Sequence, residues 1–206
     1  MGSKQPPAET AGITETLKRA TAALREAEVP FALAGSVATW ARGGPAPHND
    51  LDFAIPESHA ERAEAALAGH GMRTERPPEG WLLKAWDGDV LVDLIWDLEG
   101  LEEPEALLAR AEELSVHAVR MPVLALDDVI VSMLCAFDEH ELDFSGALGI
   151  ARALREQIAW DAVRERTAHS PYARGFLALL EALDVVAPST RGARAGEPRV
   201  RVVPGG

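Results

Sequence analysis

The sequence holds a single cysteine, Cys135, among its 206 residues. An internal disulfide is therefore excluded, and a lone thiol in an apolar helical stretch reads as a small core residue in a reducing cytoplasm. Lysine is nearly as scarce: Lys4, Lys18 and Lys84 stand against 17 arginines. No apolar run approaches the ~20 residues that span a bilayer. The N-terminal Met1-Gly2-Ser3-Lys4-Gln5-Pro6-Pro7 lacks the hydrophobic region of a secretory signal, and Pro6 stands where myristoylation requires Ser or Thr. Internal repeats are absent. Positive charge is also in deficit, with a formal net charge of −13. Residues 187–206 carry four arginines against Glu197, so the remainder is more acidic still. Such a body repels a phosphate backbone and attracts a cationic small molecule or a basic protein.

What is present is a core. Apolar residues make up 47% of the chain, enough for one domain, or one domain with a helical appendage. The most informative stretch is residues 33–53. A short apolar run, Phe31–Ala34, stops at Gly35-Ser36; a helix-like segment follows, and then the triplet Asp50-Leu51-Asp52 opens a second apolar run. Alternate side chains on a strand share a face, so Asp50 and Asp52 point one way while Leu51 and Phe53 pack behind them. Adjacent carboxylates repel one another unless a cation neutralises them, and an all-oxygen donor set suits magnesium. Gly35 lets the backbone approach a phosphate closely. Ser36, opening a helix, adds N–H and hydroxyl donors for an anion.

A third acid, Asp93, sits at the centre of Val90-Leu91-Val92-Asp93-Leu94-Ile95-Trp96. An acid in so apolar a strand is costly to bury unless paired or metal-bound. Asp50, Asp52 and Asp93 on adjacent strands are expected to form a cup for two cations, the arrangement that clamps the attacking and leaving oxygens of phosphoryl transfer. Lys84, in the strand Trp81–Trp86, joins the Asp93 strand through an expected Asp87-Gly88 hairpin turn and is a candidate triphosphate contact.

The order of elements reads as α+β with an α/β-like sequence: a small mixed sheet flanked by helices, then a helical C-terminal region. A flexible leader is expected over 1–12, a core over 13–100, helices over 101–186, and a disordered basic tail over 187–206. Ile13, Leu17, Ala20, Leu24 and Ala27 recur at helical spacing, ended by Val29-Pro30. Strand 31–34, helix 36–42, a Gly/Pro loop (Gly43–Pro47) and strand 51–55 follow. Ser58-His59-Ala60-Glu61 reads as a capping box for helix 59–69. Pro104–Ser115 reads as one helix, and Leu126-Asp127-Asp128 starts another carrying Val129, Ile130, Met133, Leu134 and Phe137 on one face. Segments 143–156 and 160–168 come next, and Ser170-Pro171 opens a last helix expected to bury Phe176, Leu177, Leu180 and Leu183.

Gly35-Ser36, Asp50-Leu51-Asp52-Phe53 and the later Asp93 together resemble the signature of the polymerase-beta-like nucleotidyltransferase superfamily, over roughly Thr14 to Asp97. The resemblance implies that Asp50 and Asp52 hold two magnesium ions. Asp93 would complete one metal site and activate the acceptor hydroxyl, and the Gly-Ser turn would hold the triphosphate of an NTP such as ATP. Two branches are similar. Pro47-His48-Asn49-Asp50-Leu51-Asp52 resembles the aminoglycoside and lincosamide nucleotidyltransferases, whose histidine precedes the acids as His48 does; their usual arginine is replaced by Ala46. Met121–Ile130 followed by Glu141-Leu142-Asp143-Phe144 resembles the abortive-infection-type toxin nucleotidyltransferases. Their triphosphate-binding lysine is missing from Val131-Ser132-Met133-Leu134, leaving Arg42, Lys84 or Arg152 to substitute. The expectation is a magnesium-dependent enzyme moving NMP to a hydroxyl of a small-molecule acceptor, with pyrophosphate released. A toxin-like transferase acting on tRNA or protein, and a catalytically inert nucleotide-binding module, are the alternatives.

Overall fold

A computed structural model of the chain describes residues 8–47, 50–140 and 142–188. Most of the expected leader and basic tail lie outside these residues, as does His48. Eight α-helices, one 3-10 turn and seven strands follow one another along the described residues. Helix α1 (Ala8–Glu26) leads into β1 (Ala32–Leu33), α2 (Gly35–Trp40) and β2 (Asp50–Ala54). Helix α3 (Ala60–Gly69), β3 (Arg73–Glu75), β4 (Leu82–Asp87) and β5 (Val90–Ile95) follow. Then come α4 (Pro104–Ala109), the hairpin β6 (Glu112–Val116) and β7 (Val119–Val123), and helices α5 (Leu126–Cys135), α6 (Ser145–Leu154), α7 (Trp160–Arg166) and α8 (Pro171–Ala182). The strands form one mixed sheet in the order β3-β4-β5-β2-β1-β7-β6. Strand β2 runs parallel to β5 and β1 parallel to β7, the other neighbours being antiparallel. The architecture is α+β, as the sequence pattern indicates.

Alternation decides which face is covered. Leu51 and Phe53 of β2 and Val92 and Leu94 of β5 are wholly buried, and they share a core with Ile13, Leu17 and Leu24 of α1 and Ala63 and Leu67 of α3. Each such side chain contributes about 1.5–3 kcal/mol on leaving water. The intervening residues Asp50, Asp52 and Asp93 are therefore turned to the opposite face. Asp87 at the hairpin end fixes α1 in place, accepting hydrogen bonds from Thr16 Oγ1 at 2.9 Å and Arg19 Nη1 at 2.6 Å.

A second core, built on Ile130, Leu134, Leu154, Val163, Phe176 and Leu180, joins α5, α6, α7 and α8. At its edge Asp128, in the first turn of α5 and 2% exposed, is held by Arg110 Nε at 2.7 Å and Arg166 Nη2 at 2.7 Å. Burial raises the pKa of that carboxyl, but the hydrogen bonds and charges of the two arginines together outweigh it and hold it below its ordinary value.

Several local expectations are corrected. Pro104–Ser115 is not one helix: α4 stops at Ala109 and the chain turns into β6, so the helical region proper begins at α5. The β6–β7 turn is made by His117 and Ala118, both at positive φ (47° and 65°). No glycine or asparagine announces it, and the helix-favouring composition of 104–115 is overridden by pairing with β7. The Ser58 capping box is not formed, because Glu57–His59 makes a 3-10 turn and His59 precedes α3 without a side-chain cap. Leu183 is exposed. Helix α1 begins at Ala8, ahead of Ile13 where its apolar repeat starts.

Candidate active site

The sheet register brings the acids together. Asp52 stands opposite Asp93 on the parallel pair β2–β5, and Asp93 stands opposite Lys84 on the antiparallel pair β4–β5. Asp50, two residues before Asp52, shares its face. Lys84 Nζ lies 3.4 Å from Asp93 Oδ1. Burial, then the charges of Asp50 and Asp93, push the Asp52 carboxyl up to about 7, with Lys84 opposing them. Asp93 is also raised, chiefly by burial, and Lys84 again works the other way.

The Gly35-Ser36 turn closes over this group. The Ala34 amide donates to the Asp52 carbonyl oxygen at 2.8 Å, which sets the turn beside β2. Gly35 has φ +57°, and a Cβ there would lie 1.8 Å from Asp52 Oδ2. Only glycine satisfies both the backbone conformation and the contact. Two buried polar atoms at this spot, Ser36 Oγ and Asp50 Oδ1, have no hydrogen-bond partner among the described residues.

A cleft of about 880 Å³ opens from the turn toward the helical half. Gly35, Ser36 and Asp52 form one end, and α5 and the start of α6 form the far wall. Asp97, Glu99, Asp138 and Asp143 also line it, and no lysine, arginine or histidine does among the described residues. Trp81, 41% exposed, lines the cleft too. Trp86 lies under the Arg73 guanidinium at 3.9 Å, and Trp96 Nε1 donates to the Gly80 carbonyl at 3.2 Å, so of the three tryptophans it is Trp81 that faces the cleft. Cys135 is half-buried at the edge of the second core, where it also lines the cleft, its Sγ 3.8 Å from His169 Nε2.

Of the expected site residues, Gly35, Ser36 and Asp52 line the cleft, whereas Asp50, Asp93 and Lys84 cluster behind Asp52 on the sheet. No group of three or more potential ligand side chains is gathered to hold a metal ion among the described residues. The expected three-carboxylate cup is therefore not ready-made, since Asp93 is engaged by Lys84. Asp50 and Asp52 nonetheless fit a cation: one offers an unpartnered buried oxygen, and the other's ionisation is opposed by neighbouring carboxylates, a repulsion a cation would offset. Arg42 is not free to replace a missing phosphate ligand. Its guanidinium is 7% exposed and donates to the Ala38 and Leu124 carbonyls at 3.1 and 2.8 Å. Arg152 does not line the cleft. Asp143 does, and its Oδ1 accepts from the Ser145 amide at 2.9 Å at the start of α6.

The sequence reading missed Asp97, Glu99 and Asp138. The available signal was the pair of acids directly after the Asp93 strand, with no basic residue between them.

Residues 8–186 match a family described as uncharacterised nucleotidyltransferase. No curated protein matches the chain. Among solved structures, the antibiotic-resistance factor ANT(2'')-Ia in solution is similar with TM-score 0.58 and 20% identity, over 85% of this chain and 98% of its own. A crystal structure of ANT(2'')-Ia in complex with adenylyl-2''-tobramycin gives TM-score 0.57 and 16% identity, over 81% of this chain and 97% of that one. The lincomycin-bound lincosamide antibiotic adenylyltransferase LnuA gives TM-score 0.48 and 14% identity, over 66% and 92% respectively. At these identities the first two likenesses establish the fold alone.

Proposed function

The chain belongs to the uncharacterised nucleotidyltransferase family, and on that footing we propose that it moves a nucleoside monophosphate from an NTP, ATP being the first to test, to a hydroxyl of a small cationic acceptor. The observation that carries this reading is the register of Asp52 against Asp93 under the Gly35 turn, at the end of a cleft large enough for a small molecule.

Asp50 and Asp52, with Asp93, would hold two magnesium ions, which when bound would supply charge neutralisation at the phosphates. The Ser36 hydroxyl and the backbone at Gly35 hold the β- and γ-phosphates, and Lys84 adds a positive charge beside them. Asp93, with its pKa raised, suits accepting the hydroxyl proton as the acceptor oxygen attacks the α-phosphorus. A new P–O bond forms, the bond to the bridging oxygen breaks, and pyrophosphate leaves. Positioning in the cleft accounts for much of the rate. His48 lies outside the described residues and is kept as a nucleotide-binding candidate on its position in the sequence, two residues before Asp50.

The cleft's chemistry supports the choice of acceptor. Carboxylates line it, with no lysine, arginine or histidine among the described residues, and such a lining favours an amine-bearing molecule over a polyanionic RNA. The similar ANT(2'')-Ia structure contains an adenylylated tobramycin, which accords with this choice. A single half-buried thiol and an NTP co-substrate both fit a cytoplasmic enzyme.

Calorimetric titration of each NTP with magnesium into the wild type and an Asp50→Ala, Asp52→Ala double variant tests the reading. Magnesium-dependent binding lost in the variant is the expected result. No binding of any NTP at millimolar concentration by folded wild type overturns it.

A further inference from the structure

Asp93 has two neighbours in the sheet, and they carry opposite charges. Asp52 faces it from β2 and Lys84 from β4, because the register of both strand pairs fixes them there. The ammonium is the one cation beside these acids among the described residues at hydrogen-bonding range. Its hold is loose. Nζ and Oδ1 are 3.4 Å apart, whereas Arg19–Asp87 and Arg110–Asp128 close to 2.6 and 2.7 Å, the range of charge-assisted hydrogen bonds. Lys84 is also 31% exposed at the side chain, and its four-carbon stem is flexible, so the head group has a route away from Asp93. A permanent structural pair has a different form in this same protein: Asp128 is held by two arginines, one of them through both of its carboxylate oxygens.

We propose that Lys84 is a stand-in cation, which holds Asp93 in the metal-free enzyme and yields that position when a divalent metal arrives. The proposal rests on the nucleotidyltransferase reading and extends it, because it makes the lysine and the metal competitors for one carboxylate. Lys84, once displaced, is free to pair with another anion, such as a phosphate. The metal thereby acquires its third carboxylate in the same event that frees a cation for the triphosphate.

Competition has a signature opposite to that of an ordinary binding residue. A ligand's affinity rises when a group that occupies its site is removed. Binding of Mn2+ without nucleotide, read from the electron paramagnetic resonance of free Mn2+ at pH 8, compares the wild type with Lys84→Met, Lys84→Gln, Lys84→Arg and Asp52→Asn. The two neutral variants are expected to bind Mn2+ about threefold to tenfold tighter, the scale of one partly exposed ion pair. Lys84→Arg is expected to bind no tighter than wild type, and Asp52→Asn to lose binding. Circular dichroism confirms that each protein is folded, and either neutral variant suffices if the other fails to fold. Neutral variants that are folded yet bind Mn2+ no tighter than wild type overturn the stand-in role, while the nucleotidyltransferase reading stands. Absence of Mn2+ binding by the wild type and by both neutral variants overturns the site reading itself, and this inference with it.

Discussion

Gly35 lies so close to Asp52 that a methyl group added to it would stand 1.8 Å from Oδ2 and 2.7 Å from Cγ. The contact ties the Gly35-Ser36 turn to the central carboxylate, and the positive φ of 57° forbids relief by a simple backbone adjustment. Gly35→Ala is expected to displace the Asp52 carboxylate and destabilise the fold by at least about 1–2 kcal/mol, the cost of the left-handed conformation alone. Calorimetry should register loss of NTP binding while circular dichroism still reports a folded protein.

Asp52 imposes a stability cost that depends on pH. Its folded pKa, about 7, lies above the ordinary value of 3.8, so its contribution is fully favourable below about pH 4 and is lost as pH rises through 7. Asp52→Asn removes the ionisation. Relative to wild type, the metal-free variant should therefore gain stability as pH rises from 4 to 8, by about 4 kcal/mol at the upper end. Urea melts at pH 4, 6 and 8 measure the trend. A gap that stays constant or narrows with pH contradicts it.

Asp128 behaves in the opposite sense. Its carboxyl is held below the ordinary value, because Arg110 and Arg166 outweigh the effect of burial. Its contribution is thus present above about pH 4 and fades as pH falls through the lowered pKa. Asp128→Ala leaves two arginines without their shared partner and should cost about 2–3 kcal/mol at neutral pH. Thermal melts should place that variant roughly 5–10 °C below wild type, with the deficit shrinking in acid.

The acids beyond Asp93 act on the acceptor in the proposed reaction. Asp97→Asn with Glu99→Gln is expected to raise the KM of a cationic acceptor about tenfold and to leave the KM of the NTP nearly unchanged. Steady-state kinetics with each substrate varied in turn separates the two. Added salt should weaken acceptor binding to the wild type more than to this variant.

The sheet face carrying Asp50, Asp52 and Asp93 was legible because strand alternation is rigid: Leu51, Phe53, Val92 and Leu94 are apolar, Asp52 and Asp93 each fall between two of them, and Asp50 stands two residues before Asp52. The Gly35 turn was legible for a similar reason, since few residue types tolerate such close approach. The hairpin was legible but its register was not: a turn at Asp87-Gly88 would set Lys84 opposite Leu91, whereas Asp87 stays in the strand, the turn falls at Gly88-Asp89, and Lys84 meets Asp93. What escaped detection depends on long-range contacts. Strand β6 is written in helix-favouring residues, Glu112-Glu113-Leu114, and extends only because β7 lies beside it. Arg42 looks like a free phosphate ligand until Leu124, 82 positions away, is seen to accept its hydrogen bond. The far wall of the cleft comes from α5 and α6, whose placement against Gly35 has no local signal.

Strand β1 is two residues long, yet it lies near the middle of the sheet between neighbours of five residues each. At about 3.3 Å per residue, it ends some 10 Å before β2 does. The end of β2 that runs on past it is the end carrying Asp50 and Asp52. The carboxylates thus stand at a notch beyond β1, where Ala34 makes one more hydrogen bond to Asp52 before α2 begins at Gly35. Lengthening β1 would perfect the hydrogen-bond ladder and fill the notch. The protein keeps an imperfect sheet where a perfect one would have no vacancy to work in.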